Sequence, residues 1–142
     1  MKMKAGILMI IAMMFFVSAQ SQSSVNNKKY KIIIQMTNGD SSVHKGTIRQ
    51  INNALTAAPN SKIEVVCHSA GINMLQTSKS TTLAQIKDLK SRGVVFAACA
   101  NTIRERNIDK ADIVGEAIIV PAGIIEVVDK ETKGWAYLKA GN

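Results

Sequence analysis

The sequence predicts an α/β fold in which helices cover both faces of a mainly parallel β-sheet. Short, nearly continuous apolar runs rich in β-branched residues recur along the chain, which is typical of parallel strands buried on both faces. Segments with a helical spacing of apolar residues separate these runs, and this alternation is the order of βαβ units. The 142 residues, less an N-terminal leader, suffice for one domain with a sizeable core but not for two.

The N-terminus has the features of a secretory signal peptide. Lys2 and Lys4 precede the apolar run Ala5–Val17, and the small residues around Ala19 suit a signal peptidase. The apolar run is too short to span a bilayer comfortably. We therefore favour a cleaved signal over residues 1–20, with an uncleaved anchor as the alternative.

The rest of the chain divides into a short lead-in and one domain. Residues 21–28 are rich in Ser, Gln and Asn, which predicts a disordered lead-in. Residues 29–142 contain every predicted strand and helix. We expect a single-domain protein that is periplasmic or secreted and that does not associate with the membrane once the signal is removed.

The first βα unit begins with a strand over Tyr30–Met36 that ends in a cluster of turn-forming residues. A helix follows, which can begin at Ser42 or Thr47 and ends before Pro59. Its apolar residues recur at i, i+3 and i+7, namely Ile48, Ile51 and Leu55.

The second unit begins with a strand over Lys62–His68, followed by a turn at Ser69–Gly71. A loop or short helix comes next. Thr81 or Thr82 can cap the following helix, and Gly93 stands where a glycine commonly ends one. The inner face of that helix would carry Leu83, Ile86 and Leu89.

The third strand, Val94–Cys99, leads directly into another helical segment. Thr102 and Glu105 fit a capping box, and Asn101 is an alternative N-cap. Either start would direct backbone N–H groups toward the end of the strand.

Cys99, at this junction, is the candidate reactive residue. A thiol there would experience the positive end of a helix dipole, and Arg104 and Arg106 are close in sequence. Both effects favour thiolate over thiol. The alternative is a small buried apolar residue, because free cysteine is among the most buried residue types.

Two more strands complete the sheet, at Ala117–Val120, which Pro121 ends, and at Trp135–Leu138. Periodicity leaves Gly123–Asp129 open between strand and helix, and its position between two strands favours a helix. One further turn is possible within Asp109–Val114.

Ligands in open α/β sheets bind where the carboxyl ends of the strands meet. We therefore expect Cys99 and His68 to lie at the same edge, on neighbouring strands. Candidate binding residues at that edge are Asn38, His68, Gly71 and Asn101.

Several other chemistries are less favoured. Cys99 and His68 could form a nucleophile and base, but their spacing fits no known hydrolase signature and no carboxylate is placed to orient the imidazole. The two His and two Cys form no CxxC or HxxxH pair, so a metal is not expected. Glycine-rich phosphate motifs are absent, and we expect no cofactor.

A disulfide between Cys67 and Cys99 stays open in an exported protein, because adjacent parallel strands could bring the two thiols near bridging distance. The side chains can instead face opposite sides of the sheet, and we favour Cys67 as a core residue.

The charge does not favour nucleic-acid binding. The net charge of +8 arises from 18 Lys and Arg against 10 Asp and Glu, spread along the chain, and aromatic residues make up only 4%. Nucleic-acid sites combine basic clusters with exposed aromatic residues.

The motifs FAACANTIRERNI, EVVCHSAGINML and IIVPAGIIEVVDKETKGWAYLK, with the KIIIQM strand and its Asn-Gly-Asp loop, resemble the DsrE/DsrF-like superfamily, in its stand-alone branch. The resemblance covers about residues 29–139. It implies a three-layer α/β/α fold around a five-stranded parallel sheet, and homo-oligomers, commonly trimers or hexamers. In sulfur-relay relatives a cysteine at the end of the third strand carries persulfide sulfur, and Cys99 stands at that position. His68, Gly71, Asn101 and Thr102 match the pattern of the branch and are expected to bind, without a role carried over.

Two functional hypotheses follow. The first is an exported carrier or sulfurtransferase-like protein that binds or relays sulfane sulfur on Cys99, with sulfur donor and acceptor proteins as partners. The second is a non-catalytic oligomeric module that binds a small ligand or a protein, with Cys99 as a packing residue.

Overall fold

A computed structural model describes residues 27–141, so the expected signal peptide (1–20) and most of the lead-in (21–28) lie outside the described residues. The five strands are β1 (Lys31–Met36), β2 (Lys62–Cys67), β3 (Val95–Cys99), β4 (Ile118–Val120) and β5 (Ala136–Ala140). They form one sheet with the spatial order β4-β3-β2-β1-β5, and every neighbouring pair is parallel. The predicted fold class and the five strands are confirmed.

Within the part of the chain that the structure describes, four α-helices connect the strands: α1 (Ser41–Ala57), α2 (Leu83–Ser91), α3 (Ala100–Glu105) and α4 (Gly123–Thr132). Two 3-10 segments, Ser69–Leu75 and Lys110–Asp112, lie in the connections. The segment that periodicity left open between strand and helix is therefore a helix, as its position favoured. Gly93, with φ of +88°, follows the end of α2 as predicted.

The N-cap of α1 is Asp40, and the helix begins at Ser41. The two predicted starts, Ser42 and Thr47, are therefore both too late in the sequence. The Asp40 carboxylate accepts a hydrogen bond from the Ser42 backbone N–H at 2.8 Å. That bond holds the pKa of the Asp40 carboxyl below its ordinary value. A carboxylate caps the helix and also complements the helix dipole, which a hydroxyl does not. The predicted apolar face of α1 is buried, with Ile48, Ile51 and Leu55 inside.

The two faces of the sheet carry cores of different size. On one face, here called the α1/α2 face, strand residues pack with both of those helices, with the first 3-10 segment and with α3. The other face, the α4 face, has a small core of Ile33, Val66, Ala97, Val120 and Val127, with Trp135 packed against it. Successive side chains of a strand alternate between the two faces.

The C-terminal part of α4 is fixed to the sheet by the side chain of Lys130. Lys130 pairs with Glu64, a fully buried residue of β2, and with Glu126 at 3.3 Å, and its ammonium lies 4.8 Å from the centre of the Trp135 ring. Burial raises the pKa of the Glu64 carboxyl, although Lys130 opposes this shift. These contacts, with Val127 in the small core, hold the first turn of α4 at the carboxyl ends of the strands.

Within residues 27–141, none of the helices combines the length and the hydrophobicity that crossing a membrane requires.

Candidate functional site

Cys99 is the last residue of β3 and also the N-cap of α3. Only 5% of the surface of Cys99 is exposed to solvent. The predicted capping box is wrong, because α3 begins at Ala100, two residues before Thr102. The hydroxyl oxygen of Thr102 instead accepts a hydrogen bond from the Ser69 backbone N–H at 3.0 Å. A tertiary partner has displaced the local cap.

The Cys99 thiol is surrounded by hydrogen-bond donors. The backbone N–H of Gly123, the first residue of α4, donates to Sγ at 3.2 Å. Burial raises the pKa of the Cys99 thiol, but bonds from the backbone N–H groups of Thr102, Gly123 and Asn101 and from the Thr102 hydroxyl outweigh it. The pKa therefore lies below its ordinary value. Donors from the first turns of two helices thus favour the thiolate.

The two arginines that are close to Cys99 in sequence are not among the groups that lower the pKa of its thiol. Arg104 and Arg106 are exposed, and the Arg104 guanidinium donates to Asn101 Oδ1 at 2.8 Å. Asn101 thus contributes its backbone N–H to Cys99, while its side chain holds Arg104.

Gly123 is a site residue that sequence reasoning missed. A Cβ built on it would lie 3.1 Å from His68 Cβ and 3.3 Å from Cys99 Cβ, closer than most real Cβ contacts. The absent side chain lets the first turn of α4 approach both residues. The available signal was a glycine two residues after Pro121, at the start of an apolar helix.

His68 directly follows the neighbouring strand β2 and lies at the same edge of the sheet as Cys99, as expected; it is 9% exposed. Its Nε2 is 2.8 Å from Gln35 Nε2, and its Nδ1 is 3.2 Å from Ser69 Oγ. An amide nitrogen can only donate, so His68 Nε2 accepts and the ring is neutral. Burial lowers the pKa of His68, which agrees with a neutral ring.

This bonding removes His68 as a general base for Cys99. Both ring nitrogens are engaged by Gln35 and Ser69, and the part of the ring next to Gly123 is the carbon Cδ2. The less favoured pairing of Cys99 as nucleophile with His68 as base is therefore not formed.

Gln35 and Tyr137 extend the polar site across the sheet, and sequence reasoning missed both. The Tyr137 hydroxyl donates to Gln35 Oε1, joining β5 to β1. Gln35 is a polar side chain between the apolar residues Ile34 and Met36 of β1. That exception was the signal that could have found it.

Ser69 has a φ of +51°, a left-handed conformation that is unusual for a residue other than glycine. Its N–H bonds Thr102 and its hydroxyl lies beside His68. The strained residue therefore ties the loop after β2 to α3.

Gly71 and Asn38 support neighbouring loops. A Cβ on Gly71 would lie 2.1 Å from the Met36 carbonyl oxygen, so only glycine fits there. The oxygen Oδ1 of Asn38 accepts from the Asp40 N–H, and its carbonyl accepts from His44 Nε2, both at 2.8 Å. The structure thus gathers Cys99, His68 and Thr102 with the backbone of Asn101, and uses Gly71 and Asn38 in the surrounding scaffold.

The two cysteines are free and do not bridge. Cys67 is opposite Ala98 in the sheet register, so it faces the α1/α2 face, whereas Cys99 faces α4. Cys67 is a core residue, as favoured, and burial raises the pKa of its thiol. Among the described residues, no group of three or more His, Cys, Asp or Glu side chains could hold a metal ion.

A separate cleft of about 680 Å³ lies beside α3 and the edge strand β4. Its lining combines apolar and charged side chains, including Ile103, Arg104, Lys110 and Ile119. Volumes of this order are usual for small-molecule sites.

Comparison with known proteins identifies the family of the chain and solved structures that are similar to it. A model of the DsrE/DsrF-like family matches residues 29–140. Among solved structures, the chain is similar to the protein of unknown function MTH1491 from Methanobacterium thermoautotrophicum, with 30% sequence identity and a TM-score of 0.74. The similarity covers 78% of this chain and 98% of that one. The search of curated proteins found no match.

Proposed function

The chain belongs to the DsrE/DsrF-like family, and from this premise we propose that it is an exported carrier of sulfane sulfur, held as a persulfide on Cys99. The observation that carries the proposal is the set of donors around Sγ, led by the Gly123 N–H at 3.2 Å. They lower the pKa of the Cys99 thiol despite its burial. A thiolate is the form that accepts sulfur from a donor.

The proposed reaction transfers a sulfane sulfur atom from one thiol to another. The Cys99 thiolate attacks the outer sulfur of a donor persulfide, R–S–SH; the donor S–S bond breaks as the new S–S bond forms, giving Cys99–S–SH and the donor thiolate R–S⁻. An acceptor thiolate then attacks the outer sulfur of Cys99–S–SH, and Cys99 leaves as a thiolate. Charge and sulfur balance in each step, and no external oxidant is needed.

Burial of Cys99 fits an exported carrier. Thiols outside the cytosol tend to oxidise, and the most accessible thiolates oxidise first. At 5% exposure, Cys99 combines a lowered pKa with limited access.

The test is the intact mass of the purified protein before and after incubation with thiosulfate or a polysulfide. The carrier gains the mass of one sulfur atom, loses it with a reductant, and shows no gain in Cys99→Ser. Cys67→Ala, on the opposite face, is the matched control and still loads. A wild-type chain that stays unloaded with every donor, with an unreactive Cys99, contradicts the proposal.

Export is proposed from the leader and is tested separately. A protein processed near residue 20 and recovered from the periplasm or medium would begin close to Ser21. N-terminal sequencing of the purified protein reads this directly. An intact Met1 on a protein found in the cytosol contradicts export without touching the chemistry of Cys99.

Self-association, as a trimer or hexamer, is proposed for the outer surface of α4. Three aliphatic side chains on that helix are strongly exposed: Ile124 at 60%, Ile125 at 64% and Val128 at 49%. An apolar patch of this kind marks an interaction surface. Sedimentation velocity should give a trimer or hexamer for the wild type and a smaller species for Ile125→Glu, with Ala84→Glu on α2 as the control. A monomeric wild type contradicts this assignment.

The cleft beside α3 favours a second candidate, a module that binds a small ligand with Cys99 as a packing residue. Arg104 and Lys110 would bind an anionic group, and Ile103 and Ile119 an apolar body. This candidate expects an unreactive Cys99 and saturable binding of an anionic apolar dye, 8-anilinonaphthalene-1-sulfonate, that weakens in Arg104→Ala. Equal binding to wild type and Arg104→Ala contradicts it.

A further inference from the structure

Three side chains, two from strands and one from the residue after β2, form a continuous hydrogen-bonded chain beside Cys99. The Tyr137 hydroxyl of β5 donates to Gln35 Oε1 of β1, and Gln35 Nε2 lies 2.8 Å from Nε2 of His68, which follows β2. The His68 ring lies next to Gly123, and the Gly123 N–H donates to Cys99 Sγ. The hydrogen-bonded chain thus runs from the exposed Tyr137 to His68, whose side chain lies beside Gly123 and Cys99.

The Gln35 amide fixes which atoms of His68 carry protons. Tyr137 occupies the amide oxygen, so the amide nitrogen faces the ring and presents only hydrogens. A protonated His68 Nε2 would place two donors against each other. A carboxylate at position 35 would have the opposite effect, because it would accept from a protonated ring.

We propose that Gln35, oriented by Tyr137, is a positioning residue that keeps the His68 ring uncharged next to Cys99. The inference rests on the proposed function in that it takes Cys99 as the reacting residue. The Cys99 anion is then held by neutral donors only, namely backbone N–H groups and the Thr102 hydroxyl.

Uncharged surroundings suit a sulfur atom that must be transferred from Cys99 to an acceptor. An imidazolium next to Cys99 would form an ion pair with the thiolate or the persulfide anion, and a stabilised anion is a weaker nucleophile. Gln35 would thereby set a balance between activating Cys99 and releasing its sulfur.

The charged groups elsewhere on the α4 face do not bond the His68 ring nitrogens, which are bonded by Gln35 and Ser69. Lys139 of β5 lies opposite Gln35 in the register, and Glu64, four residues before His68, is paired with Lys130. α4 contributes the backbone of Gly123 to the ring's surroundings, β3 contributes Cys99, and β5 contributes Tyr137 through Gln35.

The experiment compares Gln35→Glu with Gln85→Glu, the same charge change on an exposed position of α2. Two quantities are measured on the full mature chain: the ring nitrogen shifts of His68 by NMR against pH, and the rate of Cys99 alkylation against pH. In the wild type we expect a ring protonated at Nδ1 only at neutral pH. In Gln35→Glu we expect the pKa of His68 to rise by about one unit or more, and the midpoint of Cys99 alkylation to fall. Gln85→Glu should match the wild type in both.

An unchanged pKa of His68 in Gln35→Glu overturns the inference. If that variant does not fold, Tyr137→Phe replaces it, because loss of the hydroxyl frees the amide and should give His68 a mixture of tautomers. A single unchanged tautomer in Tyr137→Phe also overturns it. Neither measurement involves a sulfur donor or acceptor. A His68 that responds in a chain that takes up no sulfur therefore refutes the proposed function alone, and normal sulfur uptake with an unresponsive His68 refutes this inference alone.

Discussion

Cys67 and Cys99 end neighbouring strands, yet their surroundings differ in one respect. Both are buried, at 0% and 5% exposure. Cys67 lies in the large core on the α1/α2 face, and burial alone raises the pKa of its thiol. Cys99 lies on the α4 face, where hydrogen bonds from Thr102, Gly123 and Asn101 reverse the effect of burial. Burial by itself therefore does not make a cysteine inert, because directed donors decide which form is stable.

The difference originates in the sheet register. Cys67 pairs with Ala98, so the next residue of β3, Cys99, faces the other side. An offset of one residue sends a side chain to the opposite face. Two chemically identical residues thus meet a closed core on one side and two helix starts on the other.

The largest expected contrast between the two cysteines is their rate of alkylation. With iodoacetamide at neutral pH, native protein should be modified at Cys99 more than about a hundredfold faster than at Cys67, because their pKa values move in opposite directions and each pKa unit changes the thiolate fraction about tenfold. Peptide mass spectrometry after timed quenching measures both rates. Equal rates in denaturant provide the control, and equal rates in native protein would refute the contrast.

Gly123→Ala should erase part of the contrast by displacing the first turn of α4. The new Cβ would press on His68 and Cys99, an overpacking that costs about 1–3 kcal/mol in the free energy of unfolding. The Gly123 N–H should also move away from Sγ, and the pKa of Cys99 should rise. Gly115→Ala, where a Cβ meets no atom within 4 Å, is the matched control. Wild-type stability and alkylation in Gly123→Ala would show that the close approach is unimportant.

Thr102→Val should have a smaller effect at nearly constant shape. It removes the acceptor for the Ser69 N–H and one donor to Cys99, at a cost of about 1 kcal/mol in the free energy of unfolding. The midpoint of Cys99 alkylation should move to higher pH. Thr56→Val, on the exposed side of α1, controls for the loss of a hydroxyl. A midpoint that stays in place would exclude the Thr102 hydroxyl from the thiolate's donors.

The smallest expected effect is a difference of sign in the pH dependence of stability. The pKa of Cys99 is lowered on folding from its ordinary value of 9.0, so its contribution is complete above pH 9 and is lost as pH falls through the folded pKa. The pKa of Cys67 is raised on folding, so its contribution is present below pH 9 and declines as pH rises beyond it. Denaturant unfolding of wild type, Cys99→Ser and Cys67→Ala between pH 6 and 10 should show these opposite trends. Parallel curves for the two variants would contradict the assignment.

The fold was largely predictable because its signals are periodic. Apolar runs such as Ile32–Ile34 and the stripe of Ile48, Ile51 and Leu55 repeat with the period of their element, and the convergence of strand ends at one edge follows from parallel topology. The same rule placed Cys99 and His68 together.

The backbone N–H donors of Asn101 and Thr102 were expected from a helix start after Cys99, but the members of the site that come from distant parts of the chain were not predictable. Gln35 and Tyr137 are 102 residues apart, and the Gly123 N–H reaches Cys99 across 24 residues. The local capping signal at Thr102 also misled, since Ser69 supplies a tertiary donor that the sequence gives no means of pairing with it. Local patterns record local competition only.

The proximity of Gly123 to Cys99 limits where a carried atom can sit. A sulfur–sulfur bond is about 2 Å long, so a persulfide extends the side chain by that distance beyond Sγ. Near Cys99 Cβ there is not even room for a methyl group on Gly123 without a 3.3 Å contact. The first turn of α4 therefore packs closely against the Cys99 side chain, and the outer sulfur would extend beyond Sγ. The atom that an acceptor thiolate attacks would thus lie one bond farther out than Sγ, the atom to which the surrounding donors bond.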